Sequence, residues 1–206
     1  MLVYLIRHGE TAGNAQKFYS GGGSDEPLSE SGLAAARAAG AMLNVQRVTV
    51  TPLIRTQQTA ALLFPNAQQS VCEGLMEMHF GAFEGKTHER LVSDPRYLAW
   101  LSTDCTGPCP DGGEAMAAFS ARVNATFTAL VRESVARGEP RLYCLLHGGT
   151  IMALCDRLAA PRRAHYTEWL PKNLCGFRAT VDEKTWAAAP TLQSIEPLSP
   201  PYSAYS

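Results

Sequence analysis

Short apolar segments of strand length alternate along this chain with longer segments of helical periodicity. The apolar segments span residues 2–6, 48–51, 70–72, 142–146 and, more weakly, 176–181. Segments 2–6 and 142–146 are apolar almost throughout, as the central strands of a parallel sheet are when helices cover both faces. This alternation predicts an α/β fold, a three-layer α/β/α sandwich around a mostly parallel sheet.

Helical periodicity is present in four segments between these strands: residues 29–43, 55–64, 111–137 and 149–158. Pro65 ends the second of them, because proline cannot continue a helix, and Gly138 follows the third where glycine commonly ends one. The length of 206 residues predicts a single domain over residues 1–206. Residues 197–206 carry three prolines and are predicted to form an extended tail.

The composition, with 46% hydrophobic and 18% charged residues, is that of an ordinary soluble protein. A formal net charge of -1 gives no electrostatic basis for binding nucleic acid or an acidic membrane, so neither partner is expected. No segment approaches the ~20 apolar residues of a membrane span. The first strand begins at Leu2 without a basic leader, so we expect a cytoplasmic protein. We expect it to be a monomer or a homodimer.

Cys105 and Cys109 are the residues that most suggest a metal ion or a disulfide. They could pair or share a zinc ion, but a second pair of ligands is not evident nearby, and free thiols are the simpler interpretation. The chain has five histidines and no cluster of carboxylates. We therefore expect no metal site.

Two arginines and two histidines follow three of the predicted strands, directly or within one helical turn: Arg7, His8, Arg55 and His147. In open α/β sheets, ligands bind outside the carboxyl ends of the strands. We expect these cations to converge there and to bind a phosphate dianion, because the guanidinium fork matches phosphate oxygens. Gly148 would let the phosphoryl group approach the backbone closely.

Each of these side chains also has a purely structural interpretation. Arg7 and Arg55 could pair with Glu10 or Asp25, and a histidine after a strand could be a hydrogen-bonded core residue. An imidazole in the pocket could donate hydrogen bonds to phosphate or attack phosphorus through a neutral ring nitrogen. In the second case its other nitrogen needs a fixed acceptor, most simply a backbone carbonyl.

Five segments in the same order resemble the conserved motifs of the histidine phosphatase superfamily, also called the phosphoglycerate mutase-like family. They are residues 7–11 (RHGET) followed by Asn14, then 24–32, 51–60, 77–85 and 147–149. The resemblance implies a phosphoglycerate mutase-like fold and phosphoryl transfer without a cofactor. Leu146 and Thr51 depart from the commonest family pattern, and we expect neither departure to affect a residue with a proposed charge role.

The resemblance also implies a role for each matching residue. His8 would be the nucleophile that forms a phosphohistidine, which water then hydrolyses. The phosphoryl oxygens would be held by a further set of residues: Arg7, Asn14, Arg55, His147 and Gly148. Glu77 would be the general acid, so burial must raise its pKa against the effect of nearby cations. His79 is a weaker candidate for the acid.

The length favours a phosphatase over a mutase. Mutases of this family carry long insertions over the site, whereas only about 60 residues separate the fourth and fifth motifs here. The layout resembles small α-ribazole phosphatases and broad-specificity phosphatases, which act on small phosphorylated metabolites. A mutase-type phosphotransferase and a catalytically silent binding protein of the same fold are the alternatives.

Two further segments bear on the substrate. Phe83 and Trp100 could contact the body of the substrate, with residues 97–100 lying over the pocket, or they could be core aromatics. The three glycines at residues 21–23 predict an unusually flexible loop after the first motif.

Overall fold

The computed structural model describes residues 1–202. Its strands are β1 Leu2–Arg7, β2 Arg47–Val50, β3 Gln68–Val71, β4 Arg141–Leu146, β5 Gly176–Thr180 and β6 Gln193–Leu198. They form one sheet in the order β3-β2-β4-β1-β5-β6. Strands β1 to β4 pair in parallel, whereas β5 is antiparallel to both β1 and β6. The predicted mostly parallel sheet is confirmed.

The helices are α1 Ala12–Ala15, α2 Glu30–Ala38, α3 Ile54–Leu63, α4 His88–Leu91, α5 Pro95–Leu101, α6 Met116–Ala136 and α7 Gly148–Leu158. The four longest, α2, α3, α6 and α7, correspond to the predicted helices. Helix α6 begins five residues later than predicted because Asp111 and Gly112 adopt left-handed backbone conformations, with φ of 56° and 82°. Helix α2 ends before Gly40, whose φ of 79° is also left-handed.

Alternate residues of β1 face two separate apolar layers. Val3 and Leu5 pack in a cluster with residues of α6 and α7, whereas Tyr4 and Ile6 pack with residues of α2 and α3. Helices therefore cover both faces of the sheet, and the predicted three-layer α/β/α sandwich is confirmed. Among residues 1–202, no helix has the length and apolar character needed to cross a bilayer.

Strand β6 has no counterpart among the predicted strands. It lies at the edge of the sheet, where Pro197 removes no hydrogen bond of a central strand, and most of its residues are exposed. Beyond it, Tyr202 is fully buried and its backbone N–H donates to the Ala39 carbonyl at 2.7 Å. Residues 197 and 198 of the predicted tail therefore belong to the sheet and residue 202 is buried. Residues 203–206 of that tail lie outside the described residues.

The aromatic residues considered as substrate contacts belong to the core. Phe83 and Tyr97 are fully buried and Trp100 is 6% exposed, all three in the cluster that contains α6 and α7. The Trp100 indole N–H donates to the Gly107 carbonyl at 3.1 Å. The structure therefore supports the core interpretation for Phe83 and Trp100, whereas Leu98, between Tyr97 and Trp100, is 50% exposed.

Candidate active site

The carboxyl ends of β1 and β4 bring two of the predicted site residues together. Arg7 and Leu146 are partners in the parallel register, so His8 and His147 follow them side by side. The His8 N–H donates to the Leu146 carbonyl at 3.0 Å, and the two imidazole centroids are 5.2 Å apart. Arg55, from the first turn of α3, reaches the same point. The predicted convergence at this edge of the sheet is present.

His8 is held as a neutral imidazole with one nitrogen free. Its side chain is buried, and Nδ1 lies 2.7 Å from the Gly9 carbonyl oxygen. Because a carbonyl only accepts, Nδ1 carries the proton, and Nε2 keeps its lone pair. Burial, and then the charges of Arg55 and Arg7, hold the pKa of His8 well below its usual value. The backbone acceptor expected from the sequence is therefore present.

Arg55 is almost completely buried and its guanidinium is fixed on three sides. Nη1 donates to the Ser24 carbonyl at 2.6 Å, Nη2 to the Gly21 carbonyl at 3.0 Å, and Nε to His147 Nδ1 at 3.3 Å. Each terminal nitrogen keeps a second N–H for a ligand. Asp25, considered as a surface partner, instead accepts from the Ile54 N–H through its carboxylate.

His147 is fully buried, and both of its ring nitrogens bond to protein groups. Nδ1 accepts from Arg55 Nε, which is a donor only, so Nε2 carries the proton and donates to Thr51 Oγ1 at 2.9 Å. Burial, then Arg55, lowers the pKa of His147 well below its usual value. A direct bond from His147 to a phosphoryl oxygen requires one of these bonds to open.

Thr51 therefore corrects an expectation from the sequence. Its hydroxyl contacts the ring of His147, which in turn braces Arg55, so the residue belongs to the hydrogen-bond chain of the site. The family pattern offered no signal for this contact, because it depends on β2 and β4 lying side by side in the sheet.

Arg7 and Gly148 are adjacent in the site. Arg7 Nη1 donates to the Pro171 carbonyl at 2.9 Å, while its Nε is buried and has no hydrogen-bond partner within residues 1–202. A Cβ added to Gly148 would lie 3.5 Å from the Arg7 guanidinium carbon. Gly148 is the first residue of α7, whose opening N–H groups have no partner inside the helix and favour anions.

Asn14 presents its amide nitrogen as a donor. The side-chain Oδ1 accepts from the Thr11 N–H at 3.3 Å and from Asn173 Nδ2 at 3.1 Å. These two bonds commit the oxygen to protein groups. Nδ2 is then the part of the amide that can donate to a ligand.

Glu77 is 8% exposed, and its carboxylate bonds to the first turn of α7. Its Oε1 accepts from the Met78 N–H at 3.0 Å and its Oε2 from the Gly149 N–H at 2.7 Å. Burial raises its pKa, against the opposing effects of these two N–H groups, Arg55 and Arg7. A raised pKa is what a general acid needs, because its carboxyl group must hold a proton before it can protonate the leaving oxygen. The His79 ring lies instead against Gly22.

A model of the histidine phosphatase superfamily (branch 1) matches residues 3–190. The chain belongs to the histidine phosphatase superfamily. It is 32% identical over 195 residues to the adenosylcobalamin/α-ribazole phosphatase of Salmonella typhimurium, covering 91% of this chain and 89% of the relative. The predicted assignment to a phosphatase of this superfamily is confirmed.

Solved structures agree with this assignment. The α-ribazole phosphatase of Shigella flexneri is 28% identical, with a TM-score of 0.76 over 89% of this chain and 92% of that one. A phosphoglycerate mutase of Thermus thermophilus is also 28% identical, with a TM-score of 0.65 over 97% and 99%. The predicted phosphoglycerate mutase-like fold is confirmed.

The loop at residues 21–23 of this superfamily member is held closely in place. The Glu84 carboxylate accepts from the backbone N–H groups of Gly21 and Gly23, at 2.9 and 3.1 Å, and from the Ser24 hydroxyl at 2.6 Å. A Cβ on Gly21 would lie 2.1 Å from the Met78 carbonyl oxygen. The prediction of a flexible loop is wrong: glycine is needed there for close packing, and Glu84 was not singled out from the sequence.

No group of three or more His, Cys, Asp or Glu side chains within residues 1–202 is placed to hold a metal ion. Cys105 and Cys109 are both free thiols. Their pKa values are raised, in each case chiefly by burial, so they are less readily ionised than an exposed cysteine.

The buried histidines make stability depend on pH in a defined direction. Since the pKa values of His8 and His147 are lowered by folding, the unfolded chain binds more protons below about pH 6.5. The free energy of unfolding should therefore fall on acidification, by up to about 1.4 kcal/mol per pH unit for each histidine. Glu77, whose pKa is raised, acts in the opposite direction and offsets part of the loss at lower pH.

Urea denaturation between about pH 7.5 and about pH 5.5 would measure this dependence. The His147→Asn variant should lose less stability on acidification than the wild type. His165→Asn, which changes an exposed histidine, should follow the wild-type curve. Parallel curves for His147→Asn and the wild type would contradict a neutral, buried His147.

Proposed function

We propose that this chain hydrolyses small phosphomonoesters through a phosphohistidine on His8. The observation that supports this most strongly is the Nδ1 bond to the Gly9 carbonyl, which leaves Nε2 unprotonated beside Arg7 and Arg55. In the first step, the Nε2 lone pair forms a bond to phosphorus as the bond to the leaving oxygen breaks. Glu77 gives its proton to that oxygen.

In the second step, ionised Glu77 takes a proton from water. The water oxygen bonds to phosphorus, the bond from phosphorus to Nε2 breaks, and inorganic phosphate leaves. Glu77 is then protonated and His8 neutral again, so the cycle closes without a cofactor. The alternating charge of Glu77 requires a pKa that is raised but not extreme, which the opposing effects of burial and the arginines support.

Donors around the pocket would hold the phosphoryl oxygens throughout. We assign this role to Arg7, Arg55, the Asn14 amide and the Gly148 N–H. The donors are fixed before the substrate binds, because their other bonds go to backbone carbonyls and neighbouring side chains. Such preorganised donors stabilise charge in the transition state at little reorganisation cost. His147 would act by bracing Arg55.

The position of residues 85–115 supports a phosphatase over a mutase. Leu91, Tyr97, Trp100 and Cys109 from this segment are all buried in the core. The segment thus extends the core and supplies little chain to close over the pocket and retain a product. We further propose a cytoplasmic enzyme without nucleic-acid or membrane partners, consistent with its net charge of -1.

An apolar side chain stands beside the phosphate pocket and bears on the substrate. Leu170 is 50% exposed, and a Cβ on Gly148 would lie 2.8 Å from its Cδ1. A phosphomonoester with an apolar body could cover this side chain while its phosphoryl group lies at His8. With the name of the Salmonella relative, this supports α-ribazole 5'-phosphate as the candidate substrate.

Steady-state kinetics on α-ribazole 5'-phosphate, p-nitrophenyl phosphate and glycerol phosphate would test the proposed function. We expect all three to be hydrolysed, unaffected by chelators, with the highest kcat/KM for α-ribazole 5'-phosphate. Leu170→Ser should lower kcat/KM for that substrate about tenfold, because apolar contact is lost, and change glycerol phosphate little.

Leu43→Ser is the matched control, since Leu43 is similarly exposed but precedes β2 at the opposite end of the sheet. It should leave all three rates unchanged. Absence of phosphomonoester hydrolysis would contradict the function itself. An equal loss on every substrate in Leu170→Ser would contradict only the apolar contact.

A further inference from the structure

Asn173 links two parts of the site from the opposite end of the chain. The residue precedes β5 and is half-buried. Its Nδ2 donates to the His8 carbonyl at 3.0 Å and to Asn14 Oδ1 at 3.1 Å. One amide group therefore uses both of its hydrogens on the nucleophile's backbone and on a proposed phosphate-binding side chain.

The orientation of both amides follows from partners that cannot change role. The His8 carbonyl only accepts, so the Asn173 atom facing it is nitrogen. The Thr11 N–H only donates, so the Asn14 atom facing it is oxygen. The bond between the two side chains then runs from Asn173 Nδ2 to Asn14 Oδ1, and Asn14 Nδ2 is directed away from it.

We propose that Asn173 is a positioning residue that fixes the Asn14 amide with its nitrogen available to the phosphoryl group; this rests on the proposed function. The loss of the bond to Asn14 should matter more than the loss of the bond to His8, because other hydrogen bonds hold the backbone around His8. The His8 N–H donates to the Leu146 carbonyl, and the Leu174 N–H donates to the Arg7 and His8 carbonyls at 3.1 and 3.3 Å. Asn14 Oδ1 has only the longer Thr11 bond besides the one from Asn173, within residues 1–202.

A double-mutant cycle on p-nitrophenyl phosphate hydrolysis would test this role. Asn173→Ala should lower kcat/KM about tenfold, through one lost hydrogen bond to Asn14. Asn173→Asp should lower kcat/KM further, by about a hundredfold, although aspartate is nearly isosteric with asparagine. Its carboxylate repels Asn14 Oδ1 and attracts Asn14 Nδ2, which turns the amide so that its oxygen faces the phosphate.

The inhibition constant of inorganic phosphate should rise in the same order. Combined with Asn14→Ala, the Asn173→Ala change should have little further effect, since the side chain it positions is gone. Additive losses in the double variant, or a milder effect of Asp than of Ala, would overturn the proposal.

Asn66→Asp, at an exposed asparagine that bonds the Leu43 carbonyl, makes the same substitution far from the pocket and should leave activity unchanged. Thermal denaturation of the two Asn173 variants separates lost activity from lost fold. A wild-type protein without phosphatase activity would refute the proposed function, whereas an active wild type with additive losses would refute only the role of Asn173.

Discussion

Replacing His8 with alanine is expected to lower kcat for phosphomonoester hydrolysis by at least about 10⁴-fold, because the variant has no atom that can form a bond to phosphorus. The expectation comes from the Nδ1 bond to the Gly9 carbonyl, which points the ring and leaves Nε2 free. Steady-state assays with an aryl phosphate measure the loss. An aryl phosphate has a good leaving group, so it reveals residual activity most sensitively.

The same variant should remain folded and should still bind inorganic phosphate, since Arg7, Arg55 and Asn14 are unchanged. Circular dichroism and isothermal titration with phosphate check both points. His165→Ala, at an exposed histidine, is the matched control and should keep full activity. If His8→Ala turned over substrate at the wild-type rate, the covalent mechanism would be contradicted.

Changing Glu77 to glutamine should separate substrates by their leaving groups. Alkyl phosphates, whose leaving oxygen must be protonated, should slow by about 10³-fold, and p-nitrophenyl phosphate by only about tenfold. The reason is that a glutamine amide cannot give up a proton to the leaving oxygen. A Brønsted plot of kcat/KM against leaving-group pKa should become steeper in the variant.

The aryl substrate also serves as the internal control. Glutamine places an amide NH₂ against either the Met78 or the Gly149 N–H, so some disturbance of the pocket is expected. That disturbance should affect all substrates alike and set the baseline loss. An equal loss of kcat/KM for alkyl and aryl phosphates would contradict the role of Glu77 as the general acid.

The central strands and the cations that follow them could be predicted from the sequence. Segments 2–6 and 142–146 are apolar almost throughout, which marks buried parallel strands, and the carboxyl ends of such strands meet at one edge. Arg7, His8 and His147 are therefore placed together by strand pairing alone. Glu77 lies in a segment that is neither helix nor strand, so strand pairing does not place it, and only the family resemblance indicated it.

The residues that could not be predicted are those whose hydrogen-bond partners are distant in the sequence and meet them only in the folded structure. Asn173 is 159 residues from Asn14, and nothing in its neighbouring sequence marks it. Glu84 and Thr51 lie within family-like motifs, yet their roles depend on the Gly21 loop and on His147. Strand β6 was missed for a different reason, because an exposed edge strand needs no apolar alternation.

The phosphorylated form of His8 is the species that the mechanism cannot do without. Rapid mixing with an aryl phosphate, followed by a quench in alkali, would preserve a phosphoramidate and allow peptide mass spectrometry to locate it. We predict a phosphoryl group on the peptide containing His8, labile to acid, formed and lost within the turnover time and absent from His8→Ala. Turnover without any such species, or a phosphoryl group found on another residue, would contradict the covalent role of His8.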